Sequence, residues 1–168
     1  MRSAAAAALS AQCSELPLSG EKVHEGRPYN ALDVTETTGR AQAIVPVVRK
    51  GDRVLVIKRG PGVIRPGYWC PPSGRMEPGE TQEAAVVREV AEELGVTATP
   101  VRKVWECPTD GGDFTLHWWL VDVETYELRL DPTEVSDARW VTPDEFLEME
   151  PTFEGDREFF VRVWPSLS

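Results

Sequence analysis

No stretch of about 18 consecutive apolar residues occurs in this 168-residue chain, so no membrane-spanning helix is expected. Cysteine is scarce. Cys13, Cys70 and Cys107 are widely spaced and form no CxxC pair, which argues against a zinc site and a disulfide framework. A reducing, cytoplasmic setting is therefore expected. Positive charge is also short: 18 Lys and Arg against 28 Asp and Glu leave a net charge of −10. That balance is wrong for non-specific nucleic-acid binding, which runs on phosphate neutralisation by basic side chains. Neither nucleic acid nor a membrane is expected as a partner. A small phosphorylated ligand stays compatible, because a bound cation can supply the missing charge. Wholesale disorder is excluded by the 41% of apolar residues. The length suits one domain, and no internal repeat is visible.

Residues 1–38 are rich in Ala, Ser, Glu, Gly and Thr without a sustained period. They read as a flexible leader, with one edge strand expected near Ala31–Val34, ahead of a domain over 39–168. Ala43–Val48 and Arg53–Arg59 read as strands joined by a tight turn at Lys50-Gly51-Asp52. Gly60–Gly67, with three glycines and two prolines, reads as a loop, and Tyr68–Cys70 as a short extended piece. Val101–Glu106 and Phe114–Val123 are further strands. Both faces of the second carry bulk, which predicts a sheet covered on both sides. Thr142-Pro143-Asp144-Glu145 predicts a helix start with a capping box, and a last helix is expected over Asp156–Val163. Strands mixed with a few helices indicate an α/β sandwich.

The chemistry concentrates between Gly74 and Val96. A helix over 82–94 would place Ala84, Val87, Val90, Ala91 and Leu94 on one core-facing stripe. Glu89, Glu92 and Glu93 would then sit at i, i+3 and i+4 on the opposite side. Gly95 is a natural left-handed stop. Like charges at this spacing destabilise a helix by roughly 0.2–0.5 kcal/mol. Glu92 and Glu93 also lie in the last turn, where the macrodipole prefers cations. A local rule broken in this way marks either a functional site or a solvated acidic face. Clustered carboxylates suit a hard divalent cation such as Mg²⁺.

The spacing Gly-x5-Glu-x7-Arg-Glu-U-x-Glu-Glu-x-Gly-U, with U aliphatic, is met at Gly74, Glu80, Arg88, Glu89, Val90, Glu92, Glu93, Gly95 and Val96. On these residues the chain resembles the Nudix hydrolases. The resemblance implies a Nudix-type α/β/α sandwich with a mixed central sheet. It also implies Mg²⁺- or Mn²⁺-dependent hydrolysis of a nucleoside diphosphate linked to another group. Carried over, Glu92 and Glu93 are the principal metal ligands, Glu89 a further ligand or the general base, and the Gly74 carbonyl part of the inner shell. Glu80 and Arg88 become a structural ion pair. An acidic residue outside the motif often assists, and Glu134 is the first candidate, with Asp137 its competitor. Lys58, Arg59 and Arg65 flank the glycine-rich loop as candidate phosphate contacts. Where many relatives carry Pro-Gly-Gly, this chain reads Pro72-Ser73-Gly74.

The substrate is less legible. The downstream proline and tyrosine marks of the ADP-ribose and dinucleoside-polyphosphate branches are absent, as is the NADH-type SQPWPFPxS motif. A small nucleotide such as a nucleoside triphosphate is the expected partner, cleaved to release a nucleoside monophosphate. The resemblance also admits a homodimer. His117, Trp118 and Trp119 could stack a base, although one face of that strand must be core. Two rivals share the fold. One is a non-catalytic nucleotide-sensing module. The other is an isopentenyl-diphosphate isomerase-like enzyme, which would use Cys70 or Cys107 in acid/base work.

Overall fold

A computed structural model describes residues 40–109 and 111–167. The leader and the Ala31–Val34 strand lie outside the described residues. Strand β1 (Ala41–Lys50) turns at Gly51, whose φ of 64° is the left-handed value a tight turn uses, into β2 (Arg53–Arg59). Short strands β3 (Trp69–Cys70) and β4 (Gly74–Arg75) lead to α1 (Gln82–Leu94). Then follow β5 (Ala98–Pro108), β6 (Phe114–Val123), β7 (Val135–Val141), α2 (Pro143–Leu147) and α3 (Glu154–Arg162).

The sheet runs β3-β2-β1-β6-β5, with β4 added to β1 and β7 to β2. The β1–β6 pairing is parallel and the others are antiparallel, so the sheet is mixed. Helix α1 covers one face. There Val86, Val90 and Leu94 pack with Ile44, Leu55, Ile57 and Val121. Helices α2 and α3 cover the other, where Phe146, Phe159 and Phe160 meet Val45, Val56 and Trp118. The result is an α/β/α sandwich.

β1 meets β4 at Ala43–Ile44 and β2 only at Arg49–Lys50. Pro46 sits between, where the missing N–H costs no ladder bond on that side. The sheet forks there. Ala43 and Val45 on one side of the fork, and Arg59 and Cys70 on the other, line a cavity of about 600 Å³.

The expected core-facing stripe of α1 needs correction. Ala84, Val87 and Ala91 are exposed, and α1 instead buries Ala85, Val86, Glu89, Val90, Glu93 and Leu94. The Val86–Val90–Leu94 row presents more apolar area than the alanine-rich row, and packing selects it. Glu89 and Glu93 are thereby carried to the inner side of the helix rather than away from it. Strand β7 gives no strand signal in the sequence. Only its end residues, Val135 and Val141, are buried, and Ser136, Asp137 and Arg139 between them break any apolar alternation.

Candidate active site

Local chemistry fixes α1 at both ends. The Thr81 hydroxyl accepts from the Ala84 N–H at 3.2 Å. Gly95, with φ 64°, donates its N–H to Ala91 O at 3.0 Å. A side chain at 95 would also strike Arg129, whose Cβ lies 2.7 Å from where a Gly95 Cβ would be. The helix therefore stops at Leu94, with Glu92 and Glu93 in its final turn.

Glu89, Glu92, Glu93, Gly74 and Glu134 all line the forked cavity. Glu93 is 4% exposed and accepts from the Ser73 N–H at 3.2 Å. Burial, and then the Glu89 charge, push its pKa up to about 8. Glu89, 7% exposed, is also raised, chiefly by burial and against the pull of Arg88. Glu92 is the exposed member of the trio. Gly74 is required by contact: a Cβ there would lie 1.8 Å from the Glu89 carboxyl carbon.

Arg88 organises this end of the cavity. Its Nε and Nη2 donate to the two oxygens of Glu80, each at 2.8 Å, a bidentate fork. Nη1 reaches Glu89 at 2.7 Å and Glu92 at 3.1 Å, and Nη2 also donates to Arg75 O at 2.8 Å. The Arg88 hydrogen bonds hold the Glu80 carboxyl down at about 2. Among the described residues no three His, Cys, Asp or Glu side chains already converge as a metal cage. The donor set still fits a hard divalent cation: several carboxylates beside a backbone carbonyl, with two of the carboxylates buried and mutually repelling. A cation there relieves that repulsion.

Of the three expected phosphate contacts, Arg59 and Arg65 line the cavity and Lys58 does not. Side chains alternate along β2, so Lys58 takes the face opposite Arg59 and its ammonium sits over Trp69 at 5.8 Å. Arg59 donates through Nε to Ile64 O at 2.7 Å. Asp137, the competitor of Glu134, points to Arg139 and lies outside the cavity lining.

The base-stacking expectation for β6 does not hold. Trp118 is fully buried and stacked on Phe159, and Trp119 donates to Gln82 at 3.0 Å. Buried His117 lies between Gln42 and Glu106. Phe114 and Leu116 of the same strand line the cavity instead, with Phe153. Arg75, whose guanidinium lies 4.8 Å from the Phe114 ring centre, and buried Asp156 line it too. Neither carried a signal in the sequence, since Arg75 is a variable motif position and Asp156 lies in no motif. Cys70 is a lining residue, but burial, then the Asp156 charge, drive its thiol pKa far up. That disfavours it as an acid/base group.

The NUDIX domain family model matches residues 37–163. The chain belongs to the Nudix family. This Nudix chain is 33% identical over 109 residues to the NAD-capped RNA hydrolase NudC of Vibrio vulnificus, covering 65% of itself and 41% of that protein. It is 31% identical over 120 residues to NudC of Deinococcus radiodurans, covering 70% and 42%. The chain thus spans about two fifths of the length of these relatives. Among solved structures it resembles the MutT protein of Methanosarcina mazei, with TM-score 0.66, 21% identity, and coverage of 79% and 99%. It also resembles the MutT Nudix hydrolase of Burkholderia pseudomallei, with TM-score 0.65, 22% identity, and coverage of 75% and 99%. These likenesses show the fold. The name of these relatives includes an RNA, so the expected exclusion of nucleic acid, drawn from net charge, is unsupported. Among the described residues no helix is long and apolar enough to cross a membrane.

Proposed function

We propose that this Nudix chain hydrolyses the pyrophosphate bond of a small nucleotide, a nucleoside diphosphate linked to a further group, and releases a nucleoside monophosphate. The observation that carries the reading is the meeting of Glu89, Glu92, Glu93 and Glu134 with Gly74 around one cavity that also presents Arg59 and Arg65. Glu89, Glu92, Glu93 and the Gly74 carbonyl would hold Mg²⁺ or Mn²⁺. Such a cation, when bound, neutralises the diphosphate and acidifies water. Arg59 and Arg65, which line the same cavity, orient phosphate oxygens. Glu134 takes the proton as the water oxygen attacks phosphorus and the bond to the leaving phosphate oxygen breaks. Phe114, Leu116 and Phe153 offer the apolar end of the cavity to the nucleoside.

The names of the NudC relatives favour a second substrate, the pyrophosphate of NAD or of an NAD-capped RNA. The missing SQPWPFPxS motif keeps the other small nucleotides first. A panel of nucleoside triphosphates, nucleoside diphosphate sugars, NAD and NAD-capped RNA, incubated with Mg²⁺, separates the two. Monophosphate release that is lost in Glu93→Gln and on chelation supports the reading. Turnover unchanged in Glu93→Gln refutes the site, and binding without turnover favours the sensing module.

A further inference from the structure

The loop over residues 60–67 and the turn over 131–134 meet backbone to backbone. The Gly60 N–H donates to Glu134 O at 2.6 Å, and the Gly62 N–H to Thr133 O at 2.8 Å. Neither contact leaves room for a side chain. A Cβ on Gly60 would fall 2.5 Å from Thr133 O and 2.8 Å from the Glu134 carbonyl carbon, and one on Gly62 would fall 2.9 Å from Thr133 O. Neither glycine has a positive φ, so steric approach and not backbone conformation demands glycine at both positions.

The loop is itself stiff. Arg59 and Tyr68 close its base, with Arg59 N–H to Tyr68 O at 2.9 Å and Gly67 N–H to Arg59 O at 2.8 Å. The Arg59 side chain bonds Ile64 O across it. On its far side the 131–134 turn is tied to α1: Asp131 N–H reaches Glu93 O at 3.4 Å, and Arg129 N–H reaches Leu94 O at 2.8 Å. Asp131 O also takes the N–H groups of Glu134 at 3.1 Å and Val135 at 2.7 Å. Glu134 is therefore held between the helix of the motif carboxylates and the loop that follows Arg59 and bears Arg65.

We infer that Gly60 and Gly62 are positioning residues, through which the arginine-bearing loop sets the Glu134 carboxylate over the cavity. The inference rests on the proposed role of Glu134 for its catalytic consequence, but not for its structural one. A methyl at 60 pushes the turn outward. Misplacing a reacting group by about 1 Å can cost on the order of 100-fold in rate, while phosphate contacts made by the arginines persist.

Two measurements test it separately. Amide hydrogen exchange on the full chain without substrate should show the Glu134 and Val135 amides exchanging about tenfold faster in Gly60→Ala. Gly62→Ala, whose clash is milder, should show a smaller rise and serves if Gly60→Ala folds poorly. Unchanged exchange in both variants overturns the inference. Kinetics on the panel nucleotide that the native protein cleaves fastest should show kcat down about tenfold or more in Gly60→Ala with KM within about twofold. In a Glu134→Gln background the same substitution should cost less than about twofold, because the group it misplaces is already gone. An equal loss in both backgrounds means that Gly60 acts elsewhere and overturns the inference. If Glu134→Gln alone leaves kcat unchanged, the base assignment fails, and the exchange result decides the positioning by itself.

Discussion

The carboxyl group of Glu89 lies where a side chain of residue 74 would be: a Cβ on Gly74 would fall 1.8 Å from its Cδ. The motif glycine and the motif glutamate, 15 positions apart in the chain, thus form one contact across the β4–α1 junction. Gly74→Ala should therefore displace Glu89 while leaving the helix and both cores in place. The expected outcome is a folded protein whose monophosphate release falls about 100-fold. Circular dichroism beside steady-state kinetics checks it, and turnover near the native rate would refute the contact.

Glu93 makes stability depend on pH in the absence of metal. Its folded pKa is raised to about 8 from an ordinary 4.5. Between those values the folded state holds a proton that the unfolded chain has released. The Glu93 contribution to metal-free stability should therefore be most favourable below about pH 4.5, fall as pH rises through this window, and level off above pH 8, whereas Glu80, held down at about 2, loses its contribution as pH falls below 4.5. Glu93→Gln should flatten the profile and raise metal-free stability at pH 8 by about 1–3 kcal/mol, since a buried charge is removed. Added Mg²⁺ should recover the native protein's loss at the same pH. Melting temperatures in chelator and in Mg²⁺, taken across pH, read all three.

The Arg88–Glu80 fork calls for a planar guanidinium, which a lysine ammonium does not provide. Arg88→Lys should lose about 1–3 kcal/mol in urea denaturation. Glu80→Gln should lose a comparable amount, and the double variant less than the sum. Full additivity would show that the two side chains stabilise the chain independently.

Register along β2 separates two adjacent cations. Arg59→Ala should raise KM about tenfold through lost phosphate contact, whereas Lys58→Ala should stay within about twofold. Equal effects on KM would indicate that Lys58 also reaches the substrate.

Much of this architecture could be read directly along the chain. β2, the Gly51 turn, the capping box at Thr142 and the limits of α1 follow from local signals, because each depends on residues within a few positions of one another. The rotation of α1 about its axis did not follow. Ala84, Val87 and Ala91 satisfy the helical period as well as Val86, Val90 and Leu94 do, and only the apolar area available on the sheet distinguishes them. Strand β7 escaped because its polar interior gives no alternation; its pairing with β2 holds it in place.

Family membership and the roster of acidic residues belong to the linear order of the chain, since a spacing pattern survives without coordinates. Which carboxylates are buried, which arginines face the cavity, and how Gly60 comes against Glu134 arise only when the fork between β1 and β2 opens and distant segments close around it. Burial and close approach are properties of packed neighbours, and those neighbours lie tens of residues apart in the sequence.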